Sequence, residues 1–343
     1  MLFDTLKELC ALFGPSGCED EVRAYIRREA EPYADEIIES RHGDLMILKH
    51  GKTQIKHTVM LAAHMDEVGV IVRSVTEDGF LRFAFVGGVD RRVALGRKVF
   101  LGDNRIPGII GMKPIHLTTQ EERKSLPKVK DLYIDIGASS REEAEALVEP
   151  GDYGCFAPGM TELQNGLVRS KAIDDRIGCA ILLETLKQDL PVDTWFAFTV
   201  QEEIGSRGAF AAAFAVKPDV AVILEGTSAA DHPQSQGTKR VCATGEGPVL
   251  SMMDKGAIYD RGLFDLLRAI AEEKGTGWQI KTRVVGSTDA RAFQQSRGGC
   301  KAAGISAPVR YIHSPSCVGS IKDFEAMKVL VDAFLEKMED YHG

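Results

Sequence analysis

The sequence lacks the features that mark membrane, secreted and nucleic-acid-binding proteins. No run approaches the roughly 20 apolar residues that a transmembrane helix needs. The first segment, MLFDTLKELCALFGPSG, contains acidic residues and has no leading basic stretch, so we do not expect it to be a signal peptide. The net charge of −8 argues against nonspecific binding to nucleic acid or to anionic lipid. We therefore expect neither a membrane nor a nucleic acid as a partner.

The cysteines lack the spacing of a structural framework. They number seven, are widely scattered and include no CxxC pair, so neither a disulfide scaffold nor a structural zinc site is expected. A reducing cytoplasm is the compartment that such a chain fits. Hydrophobic residues make up 44% of the 343 positions and charged residues 27%, which is typical of a globular protein with ample core. The length indicates about two domains.

Secondary-structure signals change along the chain. The segments TVMLAAH, TWFAFTV, DVAVILE, WQIKTRVV and APVRYI predict strands, and helical patterns such as RIGCAILLETLKQ alternate with them. From about residue 69 to 158 the chain instead offers short β-rich pieces that are divided by glycines. This pattern predicts an α/β domain formed by 1–68 and 159–343, with a mostly parallel sheet covered by helices on both faces. The segment 69–158 is predicted to be an inserted β-rich domain.

Five groups of acidic residues and histidines fall at the carboxyl ends of predicted strands, or at the turn into a helix. They are His64 with Asp66, Asp174 with Asp175, Glu202 with Glu203, Glu225, and His313. The carboxyl edge of an open α/β sheet is where ligands bind. The coincidence of five groups at one edge therefore favours a functional site.

Each group also has a purely structural interpretation. A histidine after a strand commonly hydrogen-bonds a backbone group, and the pair Asp174-Asp175 suits the cap and dipole of a helix. The pair Glu202-Glu203 fits the solvated start of a loop. Glu225 is less easily explained, because it ends an apolar strand and buried carboxylates are rarely unpaired.

The donor types suit a pair of divalent ions. Zinc takes imidazole and carboxylate ligands, and a catalytic zinc site keeps a position for water. Two histidines and three carboxylates suffice for two ions if one aspartate bridges them. His64 and Asp66 are two residues apart and face the same way on a strand, so Asp66 can accept the other N–H of the imidazole. Only one of Glu202 and Glu203 needs to bind metal, which leaves the other as a base toward water.

The motifs HMD, KAIDDRIG, QEEIGSRGA, ILEGT and YIHSP, in this order and spacing, resemble the tetrahedral (glutamyl) aminopeptidases, family forty-two of the metallopeptidases. The resemblance implies two metal ions, zinc or cobalt, with Asp174 shared between them. It implies the ligand sets His64, Asp174 and Glu225 for one ion, and Asp174, Glu203 and His313 for the other. Glu202 would be the general base, and Asp66 would be an acidic residue that supports a metal ligand without binding metal itself. The Asp174-Asp175 peptide bond would be cis. Many members have aspartate where this sequence has Glu225.

The resemblance also implies an architecture and an activity. The family fold is an α/β catalytic domain interrupted by a β-barrel-like dimerisation domain, and members commonly form homododecamers built from dimers. They remove N-terminal residues from short peptides. The alternatives are a related two-metal carboxypeptidase or amidohydrolase, an endoglucanase, and a catalytically silent assembly or binding protein. Lys255 and Arg291 lie in segments near the expected cleft, where they would favour acidic substrates, although ordinary solvated surface is the competing interpretation.

Overall fold

Helices and strands alternate along most of the chain in the structure, a computed structural model that describes residues 1–235 and 237–341. The helices are α1 (Leu2–Ala11), α2 (Asp20–Ala30), α3 (Arg91–Ala94), α4 (Arg141–Glu145), α5 (Ile173–Leu186), α6 (Arg207–Val216), α7 (Arg261–Lys274), α8 (Ala290–Gln295) and α9 (Ile321–Lys337). The strands are β1 (Glu36–Glu39), β2 (Leu45–Lys49), β3 (Gly51–Thr53), β4 (Val59–His64), β5 (Gly69–Val75), β6 (Leu81–Val86), β7 (Lys98–Leu101), β8 (Ile106–Met112), β9 (Leu132–Asp135), β10 (Tyr153–Phe156), β11 (Thr161–Glu162), β12 (Leu167–Ser170), β13 (Leu190–Val192), β14 (Thr194–Thr199), β15 (Val220–Ser228), β16 (Val249–Leu250), β17 (Gln279–Ile280), β18 (Lys301–Val309) and β19 (Cys317–Ser320). Among these described residues, no helix has the length and apolar character to cross a bilayer.

The central sheet has the strand order β1-β2-β14-β4-β15-β18-β16-β17. Its middle strands β14, β4, β15 and β18 run parallel, and antiparallel pairs flank them. Alternate residues of β4 enter different cores. Val59 and Leu61 pack with α1, α5 and α9, whereas Met60 and Ala62 pack on the opposite face with α6 and α8. The predicted mostly parallel sheet with helices on both faces is therefore confirmed.

The strands β5 to β10 close into a separate barrel with its own core, in the order β10-β5-β6-β9-β8-β7. The first and last of these strands, β5 and β10, pair antiparallel, with Gly154 opposite Val70. The two points where the barrel segment joins the rest of the chain therefore lie next to each other. All six strands lie inside the segment 69–158 that the sequence marks as β-rich. The barrel is confirmed, while the domain boundaries and a role in dimerisation remain predictions.

Three predicted strand ends are wrong. Glu225 lies inside β15, which continues through small and polar residues to Ser228 because β18 pairs with it along its whole length. Only Gln279–Ile280 of the segment WQIKTRVV is a strand, since this sheet edge pairs with the two residues of β16 alone. Strand β18 ends at Val309, so His313 lies in the turn that follows and not at the strand end.

Candidate metal centre

Three buried side chains from different elements meet near the carboxyl end of the central sheet. His64 ends β4, Asp174 lies at the start of α5 and Glu225 lies in β15. Nε2 of His64 is 3.1 Å from Oε1 of Glu225 and 3.6 Å from Oδ1 of Asp174. His64, Asp174 and Glu225 are called the first donor set below.

A second donor set, consisting of Asp174, Glu203 and His313, shares one residue with the first. Nε2 of His313 is 3.1 Å from Oε2 of Glu203 and 3.6 Å from Oδ2 of Asp174. Glu203 follows β14, and His313 lies in the turn after β18. The two oxygens of Asp174 therefore face different histidines, which is the arrangement that a bridging carboxylate requires.

The donor sets fit divalent metal ions. Ligands placed tetrahedrally about 2.0–2.1 Å from zinc are about 3.3 Å apart, close to the imidazole-to-carboxylate distances of 3.1 and 3.6 Å. Nε2 of His64 and Oε2 of Glu225 are buried without a hydrogen bond of suitable geometry in the described part of the chain. Buried polar atoms are seldom left in this state. A cation between the donors would satisfy both atoms.

Asp66 connects the first donor set to the loop after β14. Its carboxylate is fully buried and lies 3.3 Å from Nδ1 of His64. It accepts hydrogen bonds from the backbone N–H groups of Glu202 and Glu203, at 3.0 and 3.1 Å, and from the hydroxyl of Ser16 at 2.5 Å. Burial alone would raise the pKa of Asp66, but the contact with His64 and these hydrogen bonds hold it below its ordinary value. Nδ1 of His64 also donates a hydrogen bond to the backbone carbonyl oxygen of Asp66 at 3.2 Å, so Asp66 holds the imidazole and the loop together.

The adjacent residues Asp174 and Asp175 have separate contacts. The peptide bond between them is cis, as expected, and the first turn of α5 is not helical at either residue. Asp174 faces the donors and also accepts the N–H of Gly226 at 2.9 Å. Asp175 points inward and accepts the backbone N–H groups of His64 and Gly178 at 3.2 and 3.0 Å. Asp175 therefore ties the end of β4 to α5 and does not belong to either donor set.

The sequence comparison agrees with this geometry. A model of the M42 glutamyl aminopeptidase family matches residues 43–330. The chain belongs to this family. Lysyl aminopeptidase of Pyrococcus furiosus is 32% identical to it over an alignment 350 positions long, which covers 98% of this chain and 97% of the relative. This M42 protein is thus a member of a family of peptide hydrolases of the aminopeptidase type.

Solved structures of M42 relatives share the whole fold. The TET aminopeptidase of Thaumarchaeota archaeon SCGC AB-539-E09 superposes with a TM-score of 0.94 at 35% identity, over 98% of this chain and 96% of the relative. The TET1 peptidase of Pyrococcus horikoshii superposes with a TM-score of 0.86 at 33% identity, over 98% and 99% of the two chains. The family resemblance that the motifs predict is therefore confirmed.

A cleft of about 360 Å³ opens onto the donor sets of this M42 protein, and Glu202 lines it. Oε1 of Glu202 lies 3.4 Å from the hydroxyl of Ser206, which can donate to it. Burial, together with the negative charge of Glu225, raises the pKa of Glu202 well above its ordinary value. A carboxyl group with a raised pKa beside a cleft is suited to accept and return a proton.

The two histidines gain charge from the carboxylates around them. Burial opposes the charged form of His313, but Asp174 and Glu203 raise its pKa to about 11. Burial likewise opposes the charged form of His64, yet Glu225 and Asp174 raise its pKa well above the ordinary value. Burial raises the pKa of Glu225 to about 8. Metal ligands must be deprotonated, so a cation entering this site has to displace protons from the histidines.

Two residues that contribute to the site, Asp289 and Ser16, carry no motif of their own and are not among the predicted site residues. Asp289 is buried beside the site, accepts the hydroxyl of Thr199 at 2.5 Å, and is one of the charges that raise the pKa of Glu202. Its position before the short helix α8 is that of an ordinary cap, which is no reason to select it from the sequence. Ser16, which binds Asp66, comes from the loop after α1. A serine after Gly-Pro likewise carries no signal of a site.

The positively charged residues that line the cleft differ in part from those expected from the sequence. Arg291 lines the cleft as the sequence suggested. Lys255 is not among the residues that line it: its side chain is exposed, while its neighbour Gly256 lies against Arg291. Lys281, which no motif marks, lines the cleft instead. The segment after β17 contributes this lysine since it turns back over the site and does not continue as a strand.

Proposed function

We propose that this chain is a two-metal aminopeptidase that hydrolyses N-terminal residues from short peptides. The observation that carries the proposal is the sharing of Asp174 by two donor sets, each of which includes one histidine and one further carboxylate. The first donor set would hold one ion and the second donor set the other. Zinc and cobalt are the proposed metals, because imidazole and carboxylate donors at these spacings suit them.

The proposed mechanism assigns the proton transfers to Glu202. Two divalent ions in the donor sets would lower the pKa of water and polarise the scissile carbonyl. Glu202 takes a proton from the attacking water and passes it to the leaving amine, which its raised pKa supports. Asp66 holds the His64 ring through its backbone carbonyl and its carboxylate, and it holds the Glu202-Glu203 loop through the two backbone hydrogen bonds described above.

The proposed substrates carry an acidic N-terminal residue. Apart from the site's own histidine and carboxylates, the charged residues that line the cleft are Lys281 and Arg291. Neither makes an ion pair with another residue of the described chain. Two positively charged side chains that have no ion-pair partner in the described chain and lie beside the donor sets favour a substrate with a carboxylate side chain. The family description says glutamyl and one relative is named a lysyl enzyme, so the cleft and not family membership has to decide this point.

Self-association is also proposed. The TET1 peptidase of Pyrococcus horikoshii is described as assembling into a tetrahedron or a large octahedral shell, and this chain covers nearly all of it. We infer a homododecamer built from dimers that contact through the barrel.

A cytoplasmic location is proposed as well, and it is supported by cysteines that form no disulfide among the described residues.

Metal analysis combined with turnover tests the proposed function. Aminoacyl and short-peptide substrates are assayed before and after EDTA treatment, and bound metal is counted by mass spectrometry. We expect residues to be released from the N-terminus, activity to be lost on chelation, and zinc or cobalt to restore it. Release from the C-terminus would indicate a carboxypeptidase. Hydrolysis of a glucan that survives chelation would indicate a carboxylate-pair glycosidase, which needs no metal. Bound metal without any turnover would indicate a silent protein.

A further inference from the structure

The loop between β6 and α3 brings the barrel against the second donor set. It begins with Gly87 and Gly88, which are called the Gly87–Gly88 segment below. The carbonyl oxygen of Gly88 is 3.1 Å from Nδ1 of His313. A Cβ added to Gly87 would lie 3.3 Å from Cβ of Glu203 and 2.8 Å from Cγ1 of Val68. Backbone of the barrel thus touches two of the three residues in the second donor set.

The contact with Gly88 selects one tautomer of His313. A carbonyl oxygen can only accept, so Nδ1 of His313 carries the proton and donates it. Nε2, which faces Asp174 and Glu203, is then the nitrogen that loses its proton and binds a cation when one enters. Groups that hold the second nitrogen of a ligating histidine fix the orientation of its ring. His64 obtains this support from Asp66, which lies outside the barrel.

The second donor set depends on such support more than the first. The side chain of His313 is 34% exposed, whereas that of His64 is 1% exposed and enclosed by the sheet and α5. The ring of His313 is therefore less enclosed by packing than that of His64 and relies more on its contact with the loop. Gly87 has φ +80°, a conformation that L side chains rarely adopt, and its missing Cβ leaves the space that Val68 and Glu203 occupy. Glycine is thus required for the close approach.

We propose that the Gly87–Gly88 segment of the barrel positions His313 and Glu203 and thereby sets the affinity of the second donor set for its ion. The inference rests on the proposed function, because it takes the donor sets to be metal sites. Loss of a group that orients a metal-ligating residue typically weakens metal affinity about 10- to 100-fold. The first donor set has no contact of this kind with the segment, and its affinity should not change.

The test uses the full-length chain with the substitution Gly87→Ala. Its matched control is Gly96→Ala, which lies in the same barrel at a similar φ of +73° and has no atom within 4 Å of the added methyl group. Metal-stripped proteins are titrated with Zn²⁺ against a chromophoric chelator, and bound zinc is counted after desalting. We expect Gly87→Ala to keep one tightly bound ion and to bind the second about 10- to 100-fold more weakly. Gly96→Ala should bind both ions as the unchanged protein does, because it has the same backbone strain without the contact.

A second variant guards against a folding defect. Gly88 does not have a left-handed φ, and a Cβ added there lies 3.4 Å from Nδ1 of His313, so Gly88→Val displaces the ring without backbone strain. If circular dichroism shows that Gly87→Ala is unfolded, Gly88→Val decides. Two unchanged zinc affinities in a folded variant, or an equal weakening of both ions, would overturn the inference. Fewer than two ions on the unchanged protein, or no loss of an ion in His313→Ala, would instead refute the proposed function.

Discussion

Replacing Glu202 and Glu203 separately by glutamine distinguishes the proposed base from the proposed ligand. The two residues are adjacent, and their backbone N–H groups bind the same carboxylate of Asp66, so either change leaves the loop equally anchored. Glutamine keeps the shape of glutamate and opens no cavity. Any difference between the variants therefore reports on the side-chain carboxylate alone.

Glu202→Gln should lose turnover and retain metal. The amide still accepts the hydroxyl of Ser206, which lies 3.4 Å from Oε1, but it cannot take a proton from water. Loss of a general base costs about 10² to 10⁴ in rate, or about 3 to 5 kcal/mol in the activation barrier. Bound metal should stay at the level of the unchanged protein, because Glu202 belongs to neither donor set.

Glu203→Gln, by contrast, should lose bound metal. Its Oε2 lies 3.1 Å from Nε2 of His313, and the change replaces an anionic donor of the second set by a neutral one. Zinc occupancy should fall toward one ion per chain, and excess metal should restore part of the activity. Bound metal, kcat and KM are measured on both variants across a range of zinc concentrations. If Glu202→Gln loses metal while Glu203→Gln keeps it, the two roles are reversed, and a fully active Glu202→Gln would refute the mechanism.

Three further predictions concern specificity, pH and assembly. Replacing Lys281 or Arg291 by methionine should lower kcat/KM for substrates with N-terminal glutamate about 10- to 100-fold and leave leucine substrates almost unchanged; equal losses on both substrates would contradict an acidic preference. Arg310 forms two hydrogen bonds to Asp231, at 2.7 and 2.6 Å, and against the effect of burial it holds the pKa of Asp231 below the ordinary 3.8. Asp231→Asn should therefore lower the free energy of unfolding by about 1–3 kcal/mol at pH 7. A carboxyl group with a depressed pKa stabilises the fold only above the pKa that it has in the unfolded chain. Urea denaturation should therefore show the difference in stability between the variant and the unchanged protein shrinking as the pH falls below about 4. Removing 70–158 and rejoining the ends should give a folded α/β domain that no longer assembles, and light scattering that finds the intact chain monomeric would refute the role of the barrel.

The meeting of the donor-set residues could be predicted because several of them follow strands with a strong local pattern. The strand β4 is apolar on both faces and ends at His64, and β14 ends shortly before Glu202 and Glu203. Since the carboxyl ends of parallel strands meet at one edge, a correct sheet brings these residues together. Glu225 comes to the site although the predicted end of its strand was wrong, because a strand places alternate side chains on a fixed face whatever its length.

Other parts of the site had no local signal. The carbonyl of Gly88 and the hydroxyl of Ser16 act through tertiary contacts, and any residue type supplies a carbonyl. The cleft position of Lys281 depends on where the segment after β17 turns, which a short edge strand does not determine. Periodicity gives the face of an element, but it does not say which loop lies over it.

The adjacent ends of the barrel also bear on how the chain folds. β4 pairs with β14 across roughly 135 intervening residues, of which the segment between β5 and β10 makes up more than half. The barrel is built from contiguous sequence and can form its contacts early. Once β5 and β10 are paired, the effective loop that β4 and β14 have to close is less than half as long. Each halving of a flexible loop lowers the entropic cost of closure by about 0.6 kcal/mol. A barrel that formed first would therefore shorten the search of β4, which ends at His64, for β14, which precedes Glu203.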